Sequence, residues 1–111
     1  MITEDYVSFE VAKLLKEKGF DEECQKYYGD YKYPCPTLQM AMKWLRKNFN
    51  MNPVPYATSI GWYFEVFDLT QRDITGCALL YQVGIPSKEK TFETCEEACE
   101  AGIRYCLENL I

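Results

Sequence analysis

The stretch from Thr94 to Ile111 constrains the fold more than any other. Cys95, Ala98, Cys99, Gly102, Ile103, Cys106, Leu107 and Leu110 recur at three- and four-residue spacing, which places them on one stripe of an α-helix. Thr94 stands as N-cap with Glu97 three residues on, the capping-box pair that satisfies donors left open by the first turn. Glu96, Glu100, Arg104 and Glu108 fall on the opposite face, which the pattern assigns to solvent. The first half of the apolar stripe, Ala98, Cys99 and Gly102, offers little side chain, so this helix can lie very close to a neighbour. Glycine inside a helix costs about 1 kcal/mol relative to alanine. Gly102 therefore marks a point of close approach, which we place against the strand holding Trp62 and Phe64. The stretch reads as a core helix laid across a sheet.

Two more helices precede it. Ser8 caps the first, with Phe9, Val11, Ala12, Leu14 and Leu15 on its apolar face. Gly19 ends it as a left-handed C′ residue, and Phe20 falls where it can meet Leu15 across the cap. Thr37 caps the second, whose buried stripe is Leu38, Ala41, Met42, Leu45 and Phe49, widened by Met40 and Trp44. Between them Gly29-Asp30, flanked by tyrosines, suits the turn of a small hairpin, and Pro34-Cys35-Pro36 forces an extended exit.

From Met51 the period shifts towards two. Pro53 and Pro55 remove donors on one side of an extended run, which suits an edge strand only. Ala57-Thr58-Ser59 turns the chain, and Ile60 to Leu69 is the best strand, with Ile60, Trp62, Phe64 and Val66 alternating against Gly61, Tyr63, Glu65 and Phe67. A third strand is expected around Cys77–Val83, followed by a loop to Lys90. The order is then α-α-β-β-β-α. Short connections favour an antiparallel meander. The fold class is α+β: a two-layer sandwich with a three-stranded antiparallel meander and three helices mainly on one face. With no repeat or linker, residues 1–111 form a single α+β domain.

The function classes narrow by exclusion. The chain has 12 basic and 17 acidic residues, for a net charge of -5. Residues 1–50 hold eight of each sign and 51–111 hold four basic and nine acidic, so no general electrostatic attraction to nucleic acid or an anionic membrane is expected. No apolar run approaches membrane-spanning length, and Met1–Asp5 lacks the pattern of a secretory signal. The expectation is a cytoplasmic protein whose six cysteines are reduced thiols. Histidine is absent, which removes Ser-His and Cys-His nucleophiles and His-containing metal sites. There is no phosphate-binding glycine loop. Glu96 and Glu97 fit helix capping better than acid–base work. No catalytic residue is assigned, and the chain is read as a non-enzyme.

Three stretches, YVSFEVAKLLKEKGFD (Tyr6 to Asp21), PTLQMAMKWLRK (Pro36 to Lys47) and TCEEACEAGIRYCLENLI (Thr94 to Ile111), cover roughly two-fifths of the chain. Their wording resembles a family of small proteins of unknown function from gut anaerobes and their phages and prophages. The resemblance implies an intracellular protein associated with mobile elements and transfers no site residue.

Three constellations remain. Cys95 and Cys99, with Cys24 and Cys35, supply the donors of a four-cysteine zinc site; set against their place on the apolar stripe, core thiols are expected, with no metal and no cofactor. Lys26, Tyr27, Tyr28, Tyr31, Lys32 and Tyr33 resemble a stacking segment for single-stranded nucleic acid, which the net charge opposes. Tyr63, Phe67 and Leu80 fall on the face of the sheet away from the helices, where so much apolar surface calls for cover. That cover is a second copy, another protein, or the Tyr27–Tyr33 segment folded over. The expected role is a non-enzymatic interaction module of a mobile element or phage, with nucleic-acid binding through the tyrosine segment as the alternative.

Overall fold

The computed structural model describes residues 4–72, 74–76, 78–81 and 91–111, with 79–81 as backbone alone. Helix α1 spans Phe9–Glu17, capped by Ser8, whose hydroxyl accepts from the Val11 amide. At its other end Gly19 takes φ +101° and the Phe20 amide donates to the Leu15 carbonyl. This bond closes a Schellman motif, and Phe20 is buried behind it. Strands β1 (Lys26–Tyr28) and β2 (Tyr33–Cys35) form an antiparallel hairpin. Helix α2 (Leu38–Phe49) is capped by Thr37 and stopped by Asn50 in the left-handed region.

Strand β3 (Met51–Thr58) pairs antiparallel with β4 (Gly61–Arg72), from Met51↔Asp68 to Thr58↔Gly61. Strand β5 (Ala78–Tyr81) follows on the other side of β4, with a register irregularity between Asp68 and Arg72. Among the described residues β3 has a strand partner on one side only, so it can hold Pro53 and Pro55 without losing ladder bonds. Helix α3 (Cys95–Tyr105) is capped by Thr94, and its last turn widens into a π-turn over Cys106–Leu110.

The fold class is α+β, but the element order needs correcting. The β1–β2 hairpin stands between α1 and α2, so the order α-α-β-β-β-α omits a supersecondary unit. The boundaries of the best strand also shift. Ile60 lies in the turn and is exposed, because Ser59-Ile60 is the tight loop between the paired residues Thr58 and Gly61. Cys77, Gln82, Val83 and the 84–90 loop lie outside the described residues, as do the side chains of Leu79, Leu80 and Tyr81.

α3 is the central element. It packs on β3 and β4 on one side and meets α1 and α2 on the other. A Cβ built on Gly102 would sit 3.1 Å from the Pro53 Cβ and 3.3 Å from the Phe64 Cβ. The close approach thus exists, to Phe64 on the expected strand and also to Pro53 on β3. Cys99, Ile103, Cys106 and Leu107 join Leu15, Leu45 and Val66 in one core. Glu100 departs from the solvated face: half-buried, it accepts from the Ser8 amide and ties α1 to α3. Phe92 exchanges two backbone hydrogen bonds with Trp62, of 2.6 and 2.8 Å, which bridges the approach to α3 onto β4.

Candidate functional site

Two regions collect the side chains singled out above. The first is the face of the β3–β4 pair opposite α3. Directly paired residues in an antiparallel ladder share a face. Met51, Pro53 and Val66 are buried towards the helices, so Asn52, Val54 and Tyr56 with Tyr63, Glu65 and Phe67 point the other way. Tyr63 and Phe67 therefore share this face, both half-buried, and Leu80 holds the register position opposite Phe67 on β5. Tyr56 stacks on Tyr63 with centroids 5.5 Å apart and planes 25° apart. The Tyr63 hydroxyl donates to Glu65 Oε1. That bond, then burial and the carboxylate's charge, push the Tyr63 phenol up to about 12. Burial first, then Glu65, also raises Tyr56. The face is a largely apolar field that also carries Asn52 and the Tyr63–Glu65 pair. Val54, Tyr56 and Glu65 were not singled out from sequence, although the alternation from Asn52 onwards carried the signal.

The second region is the hairpin. It does not lie over the sheet: Phe9 of α1 meets Tyr28 and Tyr33 edge-on at 5.5 and 5.4 Å, and Tyr28 donates to the Val7 carbonyl. The Lys26 ammonium lies 5.2 and 5.3 Å from the Tyr6 and Tyr28 rings. Lys16 and Lys32 both approach Tyr33, and Tyr27 accepts from the Cys24 amide while packing on Tyr31. Most of the ring faces and cations that a strand of nucleic acid would use are thus engaged within the chain. Tyr31, although it packs on Tyr27, is 82% exposed at the hairpin tip.

The cysteines separate into pairs. Cys24 and Cys35 lie at the base of the hairpin, and burial raises both thiols. Cys95 and Cys99 line a pocket beside α2. Among the described residues no group of three Cys, Asp or Glu side chains is placed to hold a metal ion, so the four-cysteine zinc set is not assembled. Cys24, Cys35, Cys95, Cys99 and Cys106 are free thiols. No helix among the described residues is long and apolar enough to cross a membrane. No family model, curated protein or solved structure matches the chain.

Proposed function

We propose that this chain is a non-enzymatic protein-interaction module that associates through the outer face of β3 and β4, with a second copy as its simplest partner. One observation carries the reading. Val54, Tyr56, Tyr63 and Phe67 share a face while the helices reach the sheet from the Pro53 and Phe64 side. In its finer form the proposal takes the molecule as a two-layer sandwich whose three-stranded meander turns this face outwards. On the resemblance of the three helices we take the partner to be a protein of a mobile element or phage, met in the reducing cytoplasm. Sedimentation velocity of the full chain tests it. Reversible association at micromolar concentration, lost on Phe67→Glu, is the expected result. A monomer at high micromolar concentration removes the homodimer form.

The second reading, nucleic-acid binding through the hairpin, has Tyr31 in its favour, since an exposed ring at a loop tip can stack on a base. Salt-sensitive retention of a single-stranded oligonucleotide that Tyr31→Ala abolishes is its signature. Failure to retain leaves the interaction module standing.

A further inference from the structure

Met42 Sδ lies 3.3 Å from Cys99 Sγ, and both line a pocket of about 300 Å³ that Cys95 also lines. Cys95 precedes Cys99 by four residues on α3, so the two thiols lie on the same side of that helix, one turn apart. Met42 and Cys99 are buried and Cys95 is half-buried, so the sulfurs run from the core towards solvent. Glu4, Asp5 and Glu96 line the same pocket and give it a negative field that draws cations.

Thiolate and thioether donors are soft and suit monovalent copper, whereas carboxylate and carbonyl donors suit hard ions. A structural zinc site takes four thiolate, imidazole or carboxylate ligands; no three such groups gather here among the described residues. Met42 and Cys99 are in contact, and Cys95 lines the same pocket one helical turn away. We propose that Cys95, Cys99 and Met42 form a three-sulfur site for Cu(I), independent of the association surface proposed above.

On binding, each thiol exchanges its S–H bond for an S–Cu bond and releases its proton to solvent, while Met42 donates a sulfur lone pair. Copper stays Cu(I), and no electron moves. Sulfurs about 2.3 Å from a metal in a trigonal plane stand roughly 4 Å apart, so Met42 must draw back slightly from Cys99. Its unbranched, flexible side chain allows that. Burial first, then Cys95, Glu100 and Glu96, push the Cys99 thiol up to about 12. Burial and Glu96 raise Cys95.

Anaerobic titration of the full chain with Cu(I) against a chromogenic cuprous chelator tests the site, with circular dichroism reporting the fold of each variant. The expected result is one tightly held equivalent with thiolate-to-copper absorption in the ultraviolet. It is lost in Cys95→Ala, a change at a half-exposed position, and weakened in the volume-conserving Met42→Leu. The Cys24→Ser/Cys35→Ser double variant keeps it. Binding that survives Cys95→Ala, vanishes in the Cys24/Cys35 variant, or is never tighter than the chelator overturns the proposal.

Discussion

Gly102 shows how a single missing side chain sets the distance between two layers. The gap beneath it is bounded by the Pro53 ring and the Phe64 Cβ, with 3.1 and 3.3 Å available to an added Cβ. The proline ring is stiff and its strand is held to β4, so the contact yields little. Gly102→Leu is expected to overpack this contact and destabilise the fold by about 1–3 kcal/mol, read as a lower denaturant midpoint. A neutral result would mean that the layers slide apart freely. Tyr63 offers a pH-dependent test of the outer face. Its phenol is held up to about 12, first by the hydrogen bond to Glu65, against about 10 for an unfolded chain. The folded pKa is the higher one, so this contribution is complete below about pH 10. It disappears as pH rises through about 12. In Glu65→Gln the tyrosinate absorbance of Tyr63, and with it that of Tyr56, should appear at lower pH. An unchanged titration curve would show that the hydrogen bond does not hold the proton.

At the scale of elements, the turn of the β1–β2 hairpin holds three consecutive residues in the left-handed region. Gly29, Asp30 and Tyr31 take φ of +61, +53 and +67° in succession, and the Lys32 amide donates to the Gly29 carbonyl across them. Left-handed backbone costs roughly 1–2 kcal/mol for a residue with a Cβ, and a tyrosine lacks the local hydrogen bonding that excuses aspartate. Tyr31→Gly should therefore stabilise the chain by about 1 kcal/mol, after allowing for the greater freedom of glycine when unfolded. A loss of stability in thermal melts would place the value of Tyr31 in its packing on Tyr27. The same elements show what could be read in advance. The helices were legible because their caps are local: Ser8, Thr37 and Thr94 each accept from an amide three residues on. The Gly19 and Phe20 cap needs nothing beyond six consecutive residues. Ile60 was misplaced because alternation continues through a two-residue turn, and only the Thr58↔Gly61 pairing shows where β4 begins. The Phe92 bridge to Trp62 and the meeting of Met42 with Cys99 join residues 30 and 57 positions apart. No local pattern encodes either.

At the scale of the molecule, α3 lies between the β3–β4 pair and α1, and α1 in turn carries the hairpin. The hairpin therefore leaves the sheet's outer face to its own devices, and the energetics of that face decide what it can do. Fully burying a large apolar side chain yields about 1.5–3 kcal/mol. Val54, Tyr63 and Phe67 are already half-covered, and Tyr56 is only a little more exposed, so each yields less. A symmetric contact uses all four twice and supplies on the order of 10 kcal/mol. Lost translational and rotational freedom costs an estimated 4–15 kcal/mol, so the two terms are of similar size. Association should accordingly be weak and easily tipped. Glu65 already brings a carboxylate to this face, tied to Tyr63, and the chain carries -5 overall. Phe67→Glu removes one apolar anchor from each copy and adds a like charge near Glu65, two changes of the same sign. We expect sedimentation to show monomer throughout for this variant. Its helix content should be unchanged, because Phe67 faces away from α3. Weakening on raising salt would point the other way, since screening should favour the pairing of two acidic chains. A variant that associates as the unmodified chain does would remove Phe67 from the interface and return the outer face to an ordinary solvated surface.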